Sequence, residues 1–129
     1  DMAGGFAVLK DVWKTRVYDL ARFVNRATEG IPERGIVRPP SAELAPGQED
    51  SDSLPPYDRL DTMLSLYIES DLSPSEIIDA GFDPVEVKRM CRLVDINEYK
   101  RRQSAVGPRV TVRGFGRDRR YPIANRWSF

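Results

Sequence analysis

The sequence predicts a mostly helical segment with a modest core, incomplete as a domain on its own. Three observations carry this. Apolar residues recur at intervals of three and four through three separate stretches, the period of a helix with one buried face. Ser73-Pro-Ser-Glu76 and Asp83-Pro-Val-Glu86 place a capping side chain, a first-turn proline and a first-turn carboxylate where a helix starts. The stretch Arg38–Asp61 carries five of the chain's ten prolines, so no helix or central strand runs through most of it.

The totals set the bounds. The 129 residues are 40% hydrophobic and 31% charged, ordinary for one small domain. There is no run of 18 apolar residues, so no membrane span is expected. The chain has no histidine, which excludes Ser-His and Cys-His nucleophile pairs within it and several common metal sites. The lone Cys91 lies in a helical pattern and forms no internal disulfide, so a reducing cytoplasm is the expected setting. The chain opens on Asp1-Met2 and is expected to be a piece of something longer. Formal charge sums to zero but is segregated. Residues 1–40 carry +2, residues 41–98 carry −10 and residues 99–129 carry +8. The basic end suits an anionic ligand, a nucleic acid, or docking onto the acidic middle.

Taken in order, residues 1–11 hold Gly4-Gly5, which permits a sharp turn but lacks the spacing of a phosphate-cradling loop. Trp13–Arg26 is predicted as the first helix, with Trp13, Val17, Leu20, Ala21 and Val24 on one face. Lys14 stands in its first turn, where the helix dipole favours anions. It is either an exposed lysine or part of a phosphate site shared with the free N–H groups. Gly30 and Pro32 end the helix. Arg38–Asp61 is a linker or a loop that orders over a site, with Leu44, Leu54 and Tyr57 as anchors and Ser41 just past a stiff Pro-Pro pair.

Tyr57–Ile68 is the second helix, with Tyr57, Leu60, Met63, Leu64, Tyr67 and Ile68 in helical register. The two capping signatures start a short helix ending at Gly81 and a longer one, whose stripe is Val87, Met90, Val94 and Asn97, widened by Leu93 and Ile96. The pair resembles a helix-turn-helix, but the acidic start of the second helix does not suit base reading. That helix is expected to run on through Asn97–Gln103, where three cations suit its C-terminal dipole. Arg109–Arg113 alternates β-branched and basic residues, as a short strand would. Asp118, alone among arginines, is expected to stay ionised, either pairing internally or orienting an arginine toward a ligand.

Four blocks resemble the C-terminal part of the NAD+ synthetases, closest to the glutamine-dependent bacterial form. They are DMAGGFAVLKDVWKT, PPSAELAPGQEDSDSLPPYDRLD, NEYKRRQ and GFGRDRRYPIANRW. The resemblance implies an α/β fold, a fragment of an adenine-nucleotide α-hydrolase-like (Rossmann-like) domain, with the visible part mostly helical with long loops. Residues 1–129 would be the C-terminal portion of the synthetase domain, with 38–61 an active-site loop and 99–129 a basic C-terminal segment. It implies ATP- and Mg2+-dependent adenylation of the nicotinate carboxylate of deamido-NAD+. Ammonia from a glutaminase domain then displaces AMP. A homodimer or larger assembly is implied, with no nucleic acid and no membrane.

Residue by residue, the resemblance places Asp1, Lys100, Asp118 and Arg120 at the dinucleotide and Lys14 at ATP phosphates. It places Ser41 at phosphate and metal, and assigns no catalytic residue. The family's Ser-Gly-Gly-x-Asp-Ser loop and its acidic metal ligand are absent from these residues and would lie before Asp1. Gly5 stands where the ammonia-dependent form tends to carry a carboxylate, which favours the glutamine-dependent class. The competing reading is a nucleic-acid-binding module built on the basic end. No array of stacking aromatics accompanies that end.

Overall fold

The computed structural model describes residues 4–28, 30–38, 46–47 and 54–124. Among them are six helices: α1 (Lys14–Ala27), α2 (Glu33–Val37), α3 (Tyr57–Ile68), α4 (Pro74–Asp79), α5 (Pro84–Ile96) and α6 (Glu98–Gln103). The chain divides into two compact units, residues 1–12 with 62–129, and residues 13–61.

The larger unit holds most of the core. From α3 come Met63, Tyr67 and Ile68, from α4 Ile77, and from α5 Val87, Met90, Cys91 and Val94, all buried. The α4–α5 pair is set by its caps. Ser73 Oγ accepts from Glu76 N while the Glu76 carboxylate accepts from Ser73 N, closing the capping box that the sequence announces. Asp83 Oδ1 accepts from Glu86 N at 2.9 Å and starts α5. Between them Gly81, at φ +101°, supplies the left-handed turn that ends α4.

The buried stripe of α5 differs from its sequence reading. It widens through Cys91, whereas Ile96 is half exposed. The run from α5 into the next segment is also broken. Asn97 leaves helical geometry, and its side-chain amide donates back to the Leu93 carbonyl at 2.7 Å. Just past the break Glu98, the first residue of α6, is 1% exposed.

In the smaller unit α1 packs with α2. Asn25 fixes the turn between them by accepting from Gly30 N and Ile31 N and donating to the Ile31 carbonyl. The short α2, which buries Ile36, shows no helical periodicity in five residues and was not expected. The apolar face of α1 is not buried among the described residues, with Leu20, Phe23 and Val24 all exposed.

The described residues are mostly helical, as expected. Of the implied parallel sheet they contain one isolated bridge, Phe6 with Val106. Arg109–Arg113 is not the short strand that its alternation suggests. Its N–H groups turn to a carboxylate rather than to a neighbouring strand. No described helix is long and apolar enough to cross a membrane.

At the bridge, Ala7 N donates to Val106 O at 2.7 Å, and a Cβ on Gly107 would collide with the Ala7 carbonyl and sit 2.9 Å from Lys10 Cβ. Gly107→Ala is therefore expected to destabilise the larger unit by about 2 kcal/mol through overpacking, read by urea denaturation. A midpoint unchanged from wild type would show that the close approach does not matter.

Candidate functional site

The site begins with Asp11. It follows a run of turns, is 8% exposed and aims its carboxylate at a segment a hundred residues away. Oδ2 accepts from Val110 N at 2.8 Å, Thr111 N at 2.9 Å and Thr111 Oγ1 at 2.7 Å, and Oδ1 accepts from Phe115 N at 3.0 Å. Burial pushes this carboxyl up, but the Thr111, Phe115 and Val110 N–H groups and the Thr111 hydroxyl together hold it below its ordinary range. Beside it, Lys10 Nζ donates to the Ala105 carbonyl at 2.8 Å. Consecutive residues thus fasten both ends of the 105–115 segment.

The second anchor is Glu98. Arg101 approaches Oε2 at 2.9 Å and Arg102 approaches Oε1 at 3.2 Å. Burial raises Glu98 and the two guanidiniums outweigh it, so the group lies below its usual range. Arg101 also stacks over the Phe115 ring, 4.7 Å from its centre, and Arg102 donates to the Tyr121 carbonyl.

The third anchor is Arg119, 4% exposed. Its guanidinium lies between the rings of Tyr67 and Tyr121, 3.9 and 4.4 Å from their centres, with Asp95 Oδ1 3.9 Å from Nη1. Burial pushes the Tyr67 phenol up to about 12 and Asp95 above the usual carboxylate range, against the pull of Arg119 in both cases. Burial likewise lifts the Cys91 thiol to about 11, so it is a packing residue rather than a nucleophile.

Asp11 and the two arginines held by Glu98 line a cavity of about 430 Å³. Six cations line it: Lys10, Arg101, Arg102, Arg109, Arg117 and Arg120. Its two carboxylates are engaged. Asp11 serves the backbone, and Asp118 accepts from Gly114 N at 2.8 Å and pairs with Arg109 at 3.2 Å. Asp118 is accordingly held below its usual range, first by the Gly114 N–H and then by Arg109. The lining hydroxyl, Ser104, donates to the Arg101 carbonyl. The pocket is thus built to attract anions and holds no activated nucleophile.

The sequence-predicted residues separate as follows. Asp118 and Arg120 share the cavity wall. Lys100 is exposed on α6, adjacent in sequence to the wall residues Arg101 and Arg102. Lys14, in the smaller unit, has its ammonium 5.5 and 5.9 Å from the ring centres of Tyr18 and Tyr57. One of the helix-start N–H groups read as open to phosphate, that of Thr15, donates to Asp61 at 2.9 Å. Asp1 and Ser41 lie outside the described residues, as does most of the 38–61 loop. Asp11, Glu98 and Arg119 were missed. A lone acid after a turn and a lone acid starting a basic run give no periodic signal.

Among the described residues no three carboxylates or thiols converge, and Ser41, the residue expected at the metal, lies outside them.

A mostly helical segment carrying an arginine-walled cavity concentrates positive charge as an anionic ligand requires. The chain belongs to the NAD synthase family, whose model matches residues 1–104. It is 61% identical over 129 residues to the glutamine-dependent NAD(+) synthetase of Acinetobacter baylyi, covering 98% of this chain and 24% of that protein. It is 53% identical over 127 residues to the enzyme of that name from Aquifex aeolicus, covering 98% and 22%. The solved structure of glutamine-dependent NAD+ synthetase from Acinetobacter baumannii in complex with adenosine diphosphate superposes with a TM-score of 0.56 at 53% identity, covering 97% of this chain and 22% of that one. The chain thus spans about a quarter of the length of these relatives.

Asp11→Ala strands three backbone donors and is expected to cost about 2–4 kcal/mol. Because the folded-state pKa is depressed, the wild-type advantage is complete above the unfolded value of about 3.9. It fades as pH falls through the lower folded value. Urea melts of both proteins between pH 2 and 7 check this, and a difference constant across that range would refute it.

Proposed function

We propose that this chain is part of a glutamine-dependent NAD+ synthetase. That enzyme uses ATP to adenylate the nicotinate carboxylate of deamido-NAD+, and ammonia drawn from glutamine then displaces AMP. The observation that carries the reading is the 61% identity extending over 98% of the chain, including the basic C-terminal segment. The geometry supports it. Adenylation gathers several negative charges, and guanidiniums held by the buried Glu98 and by Asp118 offer positive charge already oriented.

In this reading Lys100 contacts the dinucleotide, with Arg101 and Arg102 behind it fixed by Glu98. Arg120 contributes a cation at the cavity wall. Asp118 works through Arg109 and the Gly114 turn rather than by accepting a ligand donor. Lys14 serves ATP phosphates, and its two tyrosine neighbours restrict where its ammonium points. Asp1 is assigned to the dinucleotide and Ser41 to phosphate and metal. Mg2+, when bound with ATP, would supply charge neutralisation of the leaving pyrophosphate. The protein would act in the cytoplasm as a homodimer or larger oligomer.

The nucleic-acid reading has lost ground. Arg113 pairs with Asp71 at 2.6 Å, Arg119 is buried, and Arg101, Arg102 and Arg109 each hold a carboxylate. Much of the basic end is therefore docked onto acidic partners rather than presented as a continuous phosphate-binding face.

In the protein that carries this chain, Lys100→Ala is expected to lower kcat/KM for deamido-NAD+ by about ten- to a hundredfold, the loss of one charged contact. Unchanged kcat/KM would overturn the assignment. The isolated 129-residue chain, lacking Ser-Gly-Gly-x-Asp-Ser, is expected to form no NAD+ from deamido-NAD+, ATP and ammonia. Measurable turnover would contradict this.

A further inference from the structure

We infer that Arg119 is a positioning residue, which acts from outside the cavity by holding its neighbours Arg120 and Asp118 at the cavity wall. Its place in the chain is the first sign. Asp118 and Arg120, on either side of it, line the cavity, whereas Arg119 does not and is 4% exposed. Three consecutive residues thus divide between the cavity and the helical frame.

The contacts of Arg119 fix a direction as well as a place. Its guanidinium lies between the Tyr67 ring of α3, 3.9 Å from the centre, and the Tyr121 ring, 4.4 Å from the centre. Nη2 donates to the Tyr121 hydroxyl at 3.2 Å. Tyr67 in turn donates to Asp95 Oδ1 at 3.3 Å, and that oxygen lies 3.9 Å from Arg119 Nη1. A flat cation between two rings has its plane set, and a lysine has no plane to set. On either side the backbone is tied as well. Asp118 accepts from Gly114 N, and the Tyr121 carbonyl accepts from Arg102 Nη2 at 2.9 Å. Arg120 is exposed and pairs with no described residue, so its direction comes from the backbone that Arg119 and Tyr121 hold.

The cost of the arrangement points the same way. Nε and Nη1 of Arg119 are buried and have no hydrogen-bond partner among the described residues. A buried cation with unmet donors works against stability, and an apolar side chain of similar length would fill the space without that penalty. An aliphatic chain would not hold a plane between two rings. What the arginine adds is orientation, which the core does not need and the cavity wall does.

In the functional reading above, on which the kinetic test rests, Asp118 and Arg120 serve the dinucleotide, whereas Lys14 and Ser41 serve ATP. The test compares wild type with Arg119→Lys and Arg119→Met in the protein that carries this chain, alone and combined with Arg120→Ala. Steady-state kinetics give kcat and the KM values for deamido-NAD+ and ATP. Amide hydrogen exchange follows Gly114, whose N–H Asp118 accepts. Circular dichroism checks folding, and Arg119→Lys, which keeps a charge beside Asp95, is the variant to read should Arg119→Met unfold.

Both substitutions are expected to raise KM for deamido-NAD+ about tenfold, the loss of one oriented charged contact, and to leave KM for ATP unchanged. In the Arg120→Ala background they are expected to raise it further by no more than about twofold, since neighbours that act as a unit are not additive. A merely structural role lowers kcat through a smaller folded fraction and leaves both KM values alone. That result, full additivity with Arg120→Ala, a wild-type KM in Arg119→Lys, or unfolding of both variants overturns the proposal. If wild type forms no NAD+, the functional reading fails by itself and Gly114 decides. Its amide is expected to exchange at least about tenfold faster in the folded variants, while Val87 and Met90 in α5 keep their protection. Unchanged exchange at Gly114 overturns the proposal.

Discussion

One carboxylate holds the larger unit's beginning to its end. Asp11 gathers three backbone N–H groups and a hydroxyl from residues 110–115. Those donors sit in irregular backbone that makes no ladder among the described residues, so without Asp11 they would need water or another acceptor. Loop closure over a hundred residues is entropically costly, and a four-donor carboxylate concentrates the compensation at one point. The Gly114–Asp118 turn, the stacking of Arg101 on Phe115 and the cavity itself depend on where Asp11 puts that segment.

Two further buried charges share the same logic. Glu98 would be costly alone and is satisfied by Arg101 and Arg102. Arg119 is only partly satisfied. Its Nε and Nη1 lack hydrogen-bond partners, and the Tyr67 and Tyr121 faces with Asp95 carry its charge. Each inward charge fixes an element that the apolar core does not reach: α6 through Glu98, and the C-terminal segment through Arg119. The core of α3, α4 and α5 is a frame, and the site is fastened to it by polar contacts.

This division explains what the sequence revealed. The capping box at Ser73 and Glu76, the N-cap at Asp83 and the bounds of α3 are local features, and local features are legible. The break at Asn97 was not, because it depends on one side chain bonding back to Leu93. Arg109–Arg113 misled because alternation reports side-chain faces, whereas the N–H groups of Val110 and Thr111 are claimed by a residue a hundred positions away. Of the site, the isolated Asp118 drew notice through its arginine neighbours, and its pairing with Arg109 fits the internal alternative. Asp11 and Glu98 carried no signal, since only tertiary contact shows what a single acid accepts. The family came from four chemically unusual blocks in order, and the matches to NAD synthase relatives bear it out.

The claim on which the rest turns is that Asp11 organises the 105–115 segment and with it the arginine wall. Amide hydrogen exchange on wild type and Asp11→Ala, in the protein that carries this chain, tests it most directly. The prediction is that Val110, Thr111 and Phe115 are protected in wild type and lose protection together in the variant, while Val87, Met90 and Val94 in α5 keep theirs. Retained protection of the three amides in Asp11→Ala would contradict it.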